Sequence, residues 1–243
     1  MAEEKNKKII IASDDSDDEH SGDTASDEQT TDLSTILDKL TLGPKKQKKK
    51  LMVLSLNGLL LHRVHIKNMC KKPKNRTPDA SCGPNLVYKR PFAEEFMKFC
   101  LERYEVGIWS SACELDQEKC TDSGFKTLEN GAKPMFFKDL SKVFKCFQGF
   151  SASNTIFIDE EPYKALLNPD HTGLFPFSYD ANDKKDDLLD PERKFCAYLD
   201  DLANASDVQA YIKEHSFGQS MIDSSHPDWS FYSKVSKIVS YLA

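Results

Sequence analysis

The chain has 243 residues, a formal net charge of −6 and 39 % hydrophobic residues, enough for one ordinary domain plus a tail. The acidic balance argues against a nucleic-acid binder, and neither an apolar run of the ~18 residues needed to span a bilayer nor a charged-then-apolar leader is present, so no membrane anchor or secretory signal is expected. Seven cysteines, an odd count with no Cys-x-x-Cys pair, argue against a disulfide framework or a zinc site and for a reducing compartment.

Residues 1–50 read as a disordered, acidic, Ser-rich tail. The stretches Ser13–Glu19 and Asp23–Glu28 bury too little apolar surface to offset the entropy of ordering. Ser16, followed by Asp17, Asp18 and Glu19, has the form of an acid-directed kinase site, where phosphorylation would add negative charge; a plain solubilising tail is the alternative. Leu33, Ile36, Leu37 and Leu40 fall at helical spacing and predict a short docking helix. The basic cluster Pro44–Lys50 has the form of a nuclear-import signal, or is the solvated flank of a buried strand. It is too short to argue for nucleic-acid binding.

Residues 51–243 alternate strands and helices. Leu51–Leu56 predicts a first strand, and Lys67–Pro84, polar with Pro73, Pro78, Gly83 and Pro84, a loop insert. Lys89-Arg-Pro91 opens a helix with Phe92, Phe96, Phe99 and Arg103 on successive turns, its apolar face toward the sheet. Val106–Trp109 and Thr155–Ile158 predict further strands. The intervening residues 111–137 are largely polar and lack helical periodicity. Asp190-Pro-Glu192 predicts a helix start with Phe195, Tyr198, Leu199 and Leu202 on one face. Ser206–Glu214 follows as a short helix N-capped by Ser206, and Pro227–Leu242 as a final helix over the sheet. The fold class is therefore α/β, an open, mainly parallel Rossmann-like sheet flanked by helices. Such sheets bind ligands beyond the carboxyl ends of their strands, where Ser55, Ser110 and Asp159 would meet.

Taken in order, Leu51-Met-Val-Leu-Ser-Leu-Asn-Gly-Leu-Leu-Leu61, Lys89-Arg-Pro-Phe92, Gly107-Ile-Trp-Ser-Ser111, Phe137-Lys-Asp-Leu140 and Ile158-Asp-Glu-Glu-Pro-Tyr163 resemble the phosphatase domain of the haloacid-dehalogenase superfamily. The nearest branch is the carboxy-terminal-domain phosphatase type, its plant members in particular, and the resemblance runs from Lys50 to Tyr232. It implies a first strand reading Asp-x-Asp-x-Thr, whose first Asp attacks phosphorus and ligates magnesium and whose second is the general acid and base. Here Ser55, Asn57 and Leu59 occupy those positions. A serine hydroxyl needs an adjacent base to act as nucleophile, and an amide neither gives nor takes a proton.

By the same resemblance, Ser110 matches the residue that hydrogen-bonds a phosphate oxygen, Lys138 the lysine that neutralises phosphate, and Asp159 the magnesium-binding acid; Glu160 stands where relatives carry a second Asp or an Asn. The degenerate catalytic set is thus Ser55, Asn57, Ser110 and Lys138, and Asp159 with Glu160 implies a weak Mg2+ site and no other cofactor. The insert Lys67–Pro84 corresponds to the cap-side loop that in relatives helps choose substrates. Relatives also fit a helix and a parallel strand between the positions of Ser110 and Lys138. The stretch here is too short for that helix–strand unit, with Glu114–Gln117 as the expected seam of its loss; a genuine deletion would leave the edge of the second strand unpaired, and a splice variant or a mis-joined gene model is the alternative.

The first expectation is a catalytically inactive phosphatase-like domain, a pseudophosphatase that holds a phosphorylated or acidic peptide or protein through Ser110 and Lys138, helped by aromatic neighbours such as Tyr163 and Phe175. A second reading is a residual Mg2+-dependent protein serine/threonine phosphatase acting on the RNA polymerase II C-terminal domain or a similar substrate. A third is a subunit resembling the presequence receptor of the mitochondrial inner-membrane translocase, which would need a transit peptide and an anchor. The expected location is the nucleus or cytoplasm, or the mitochondrion under the third reading.

Overall fold

A computed structural model describes residues 48–110 and 119–242. The expectations for Ser16, for the helix at Leu33–Leu40, for most of the basic cluster and for the seam at Glu114–Gln117 lie outside the described residues.

Every residue of β1 (Leu51–Leu54) is buried, because this strand has layers packed on both faces. Met52 and Leu54 join one core with Ile156, Ile158, Phe96, Cys100 and Leu199. Leu51 and Val53 join another with Phe157, Leu140 and Phe175. A doubly covered parallel strand reads as a continuous apolar run rather than an alternation. The strand is two residues shorter than the expected Leu51–Leu56, since Leu56 already belongs to the turn that carries Asn57 and Gly58, although the Ser55 N–H still reaches the Ile158 carbonyl at 2.8 Å.

After that turn, β2 (Leu61–His65) pairs antiparallel with β4 (Asn85–Lys89), and β4 with β3 (Ala80–Cys82), so the predicted loop insert ends in strands of a small separate sheet. Helix α1 (Ala93–Arg103) starts one residue later than expected. Phe92 is its N-cap in the left-handed region, φ 61°, and is exposed, so the buried face is carried by Phe96 and Cys100. The strand β5 (Glu105–Ile108) pairs parallel with β1. Among the described residues no strand lies on its other side.

Where relatives would continue the sheet, β6 (Thr121–Lys126) and β7 (Pro134–Phe137) form an antiparallel hairpin that is hydrogen-bonded to neither of the other sheets. Helix α2 (Leu140–Cys146) is capped by Asp139, whose carboxylate accepts the Ser141 N–H, and supplies Leu140, Val143 and Phe144 to one side of the main sheet. β8 (Thr155–Ile158) and the two-residue β9 (Gly173–Leu174) complete the four-stranded parallel sheet in the order β5-β1-β8-β9.

On the opposite side lie α3 (Lys194–Asn204) and α4 (Val208–Glu214), through Phe195, Cys196, Leu199, Leu202, Val208 and Ile212. Helix α3 begins at Lys194 rather than at Asp190, and α4 is capped by Asp207, which accepts the Ala210 N–H, not by Ser206. The last helix, α5 (Trp229–Leu242), also differs from expectation. Its buried Tyr232, Val235 and Val239 pack on Met135 and Phe137 of the hairpin and on Tyr163, so it covers the hairpin instead of the sheet.

Two lysines tie the start of the domain to helix ends. Lys49 Nζ donates to the Leu101 carbonyl at 2.8 Å, and Lys50 Nζ to the carbonyls of Ala203 and Ala205 at 2.7 and 2.6 Å. These carbonyls belong to the last turns of α1 and α3, where cations are favoured. The six described cysteines, Cys70, Cys82, Cys100, Cys120, Cys146 and Cys196, are all free. No helix among the described residues is long and apolar enough to cross a membrane.

Candidate functional site

In the parallel register Leu54 lies level with Ile108 on one side and Ile158 on the other. The next residues of the three strands, Ser55, Trp109 and Asp159, therefore emerge together at the carboxyl edge of the sheet, with Ser110 one step beyond Trp109. Lys138 follows β7 and is fixed by its own N–H on the Lys164 carbonyl at 2.9 Å.

The Lys138 side chain is 0 % exposed, as is that of Asp159. Its ammonium donates to Asp159 Oδ2 at 2.7 Å, to the Trp109 carbonyl at 2.7 Å and, more weakly, to Ser55 Oγ at 3.4 Å. A lysine has three N–H donors, so all are spent inside the protein. Ser55 is buried, and its hydroxyl donates to the Asn57 carbonyl at 3.4 Å. The charged group beside Ser55 Oγ is thus a proton donor, whereas an attacking alcohol needs a base. Asn57 is turned away: its Oδ1 accepts the Arg63 N–H at 2.8 Å. Ser110 is buried at the end of its strand.

Asp159 faces a second cation. Lys164 Nζ lies 2.9 Å from Asp159 Oδ1, 3.4 Å from Glu160 Oε1 and 3.0 Å from Glu161 Oε2. Burial alone would push the Asp159 carboxyl up, but Lys138 and Lys164 outweigh it and hold the group well below the usual carboxylate range. Glu160 goes the other way. Burial, and then the charge of Asp159, raise it to about 8, and its Oε2 is buried without a partner. Glu161 is held down by Lys164 and Lys133 against the effect of burial, and accepts the Tyr163 hydroxyl at 2.9 Å. Lys164 is raised well above its ordinary value because the three carboxylates outweigh burial.

Carboxylate oxygens of Asp159, Glu160 and Glu161 lie within 4.8 Å of one another, a buried acidic cluster of the kind that holds a hard cation. Magnesium requires near-octahedral oxygen ligands and keeps several waters. Both Asp159 oxygens are instead engaged by ammonium groups, and the first strand offers a neutral hydroxyl where an acid would be needed. As arranged, these residues do not fit the dication.

The geometry joins Ser55, Lys138, Asp159 and Glu160 and directs Asn57 elsewhere. Tyr163 and Phe175, expected to help grip a peptide, are instead buried core residues. Lys164 and Glu161 were not anticipated. The available signal was Lys164 standing four residues after Glu160, on the short turn Pro162–Ala165, a spacing at which opposite charges meet on a helical turn.

Residues 50–209, well over half of the chain, match the NLI interacting factor-like phosphatase family. The chain belongs to this family. It is also 27 % identical over 142 residues to a protein of Dictyostelium discoideum described as a probable C-terminal domain small phosphatase, a match covering 53 % of this chain and 42 % of that relative. The chain thus spans less than half the length of that relative.

Proposed function

We propose that this chain is a catalytically silent phosphatase-fold domain that works as a protein-binding module. The observation that carries the reading is Ser55, an alcohol at the end of β1 whose charged neighbour is the Lys138 ammonium at 3.4 Å. No carboxylate stands there to attack phosphorus, and Asn57 supplies no acid. A magnesium-dependent step is disfavoured by the same chemistry, because Asp159 is already neutralised by two lysines.

With Lys138 fully buried, an anion is better received outside the old pocket. From Leu59 to Pro78 the chain carries six Lys or Arg and no acid. Lys67, Lys71, Lys72 and Lys74 are exposed, and within the described residues they form no ion pair. The loop is seated by buried Pro73 and by the Lys74 N–H on Asn182 Oδ1 at 3.3 Å. This placement supports an acidic or phosphorylated protein segment as the partner. Exposed pairs are worth roughly 0–1 kcal/mol each, so binding is modest and weakens with salt.

Two assays test the proposal. With magnesium present, purified protein is expected to release no phosphate from p-nitrophenyl phosphate or from a phosphoserine peptide; turnover abolished by Ser55→Ala would establish the residual phosphatase reading instead. Fluorescence anisotropy with the same peptide is expected to show salt-sensitive binding that Lys71→Ala/Lys72→Ala/Lys74→Ala removes. Binding unaffected by that triple change would place the partner elsewhere.

A further inference from the structure

Three carboxylates converge where the sheet ends, and one ammonium lies among them. Lys164 Nζ contacts Asp159, Glu160 and Glu161 at 2.9, 3.4 and 3.0 Å, and its side chain is only 6 % exposed. Each N–H of the ammonium has a carboxylate to meet. The surroundings hold the acids in place. The Tyr163 hydroxyl and Lys133 fix Glu161, the Glu161 N–H donates to Asp159 Oδ1 at 3.0 Å, and the Gln219 side chain holds the Glu160 carbonyl at 2.9 Å.

Gly58 forms the wall. A Cβ there would come within 2.6 Å of Glu160 Cγ and Cδ, so the Glu160 side chain in this position requires glycine at 58. Glu160 is 8 % exposed, and its Oε2 has no partner although buried. Once Glu160 gives up its proton, that oxygen is the free acceptor that a ligand with more coordination sites than an ammonium would use.

We infer that Lys164 is the resident cation of this cluster: its ammonium occupies the position of a divalent metal ion, making the domain independent of metals, and its removal exposes a site for a hard divalent cation. This goes beyond the binding role proposed above and does not depend on it. Without Lys164 the cluster is a set of three acidic side chains within 4.8 Å of one another, faced by Lys138 at Asp159 and by Lys133 at Glu161. Hard oxygen donors at that density suit calcium, which tolerates irregular geometry, better than magnesium.

The test is thermal unfolding and calorimetric titration of the full chain with calcium, magnesium and manganese chlorides. Wild type is expected to show no shift in Tm and no saturable heat at millimolar cation. Lys164→Met is expected to melt lower in chelator and to recover by roughly 5–10 °C at about a hundredfold excess of calcium over its dissociation constant. Adding Glu160→Gln to that variant should abolish the recovery. If Lys164→Met does not fold in chelator, refolding on calcium addition is the readout. A wild-type shift as large as the variant's overturns the inference, and so does a variant that no divalent cation stabilises. A calcium response that survives Glu160→Gln also overturns it, since the ion would then be bound elsewhere.

Discussion

Lys138→Met is the perturbation whose consequence the structure specifies most fully. Methionine keeps the length and apolar stem of the side chain but removes its three donors. Asp159 Oδ2 and the Trp109 carbonyl, each at 2.7 Å from the ammonium, are left without that partner, the first of them on a fully buried side chain. A buried acceptor stripped of its donor costs about 1–3 kcal/mol, and breaking a buried ion pair from one side about 3–5 kcal/mol. Lys164 still faces the other Asp159 oxygen at 2.9 Å, which limits the loss, so the expected cost is about 3–4 kcal/mol. For a domain of this size that is a fall in Tm of roughly 10 °C. Urea unfolding at neutral pH, followed by circular dichroism, measures it. The double variant Lys138→Met/Asp159→Leu should recover only part of the loss, because Asp159 also pairs with Lys164 and accepts the Glu161 N–H, and both are left without it. A single-variant cost under about 1 kcal/mol, the range of an exposed pair, would show that the pair is solvated and that the buried-pocket argument is wrong.

The pH profile should carry the signature of the same cluster. Glu160, raised from 4.5 to about 8 in the folded chain, keeps a proton that the unfolded chain releases, so its contribution falls as pH rises through that interval, by on the order of a few kcal/mol. Glu160→Gln should flatten this decline of urea midpoints with rising pH. Asp159, held low, gives stability that is present above about pH 4 and lost on further acidification. Gly58→Ala is expected to destabilise twice over, through a φ of +81° and through contact with Glu160 at 2.6 Å. Gly83→Ala, with φ +53° and open space around it, should cost only the left-handed backbone penalty of about 1–2 kcal/mol, and the difference in Tm between the two variants isolates the contact.

The parallel sheet and the meeting of Ser55 with Asp159 were legible because they depend on local signals: short apolar runs, each followed by a polar turn. Where tertiary contacts decide, local pattern does not carry the outcome. Phe92 follows Pro91, takes a left-handed conformation and leaves the apolar face to Phe96 and Cys100. Helix α5 was assigned to the sheet because its true partner, the hairpin built around Met135 and Phe137, lay in a stretch whose polarity concealed its two strands. Ser55 and Asn57 were legible as a hydroxyl and an amide where the resemblance implies acids. The second buried lysine was hidden, since Lys164 reads on its own as an ordinary surface charge, and only the short turn after Glu161 brings it inward.

The hydrogen bonds from Lys49 and Lys50 to Leu101, Ala203 and Ala205 move the working boundary of the folded unit upstream of its first strand. A truncation at Leu51, natural from the hydropathy profile, would discard the cations that neutralise the ends of two helices and leave their carbonyls to water. A shortened protein that retains both lysines keeps these clamps and begins at an anchored point rather than a loose end.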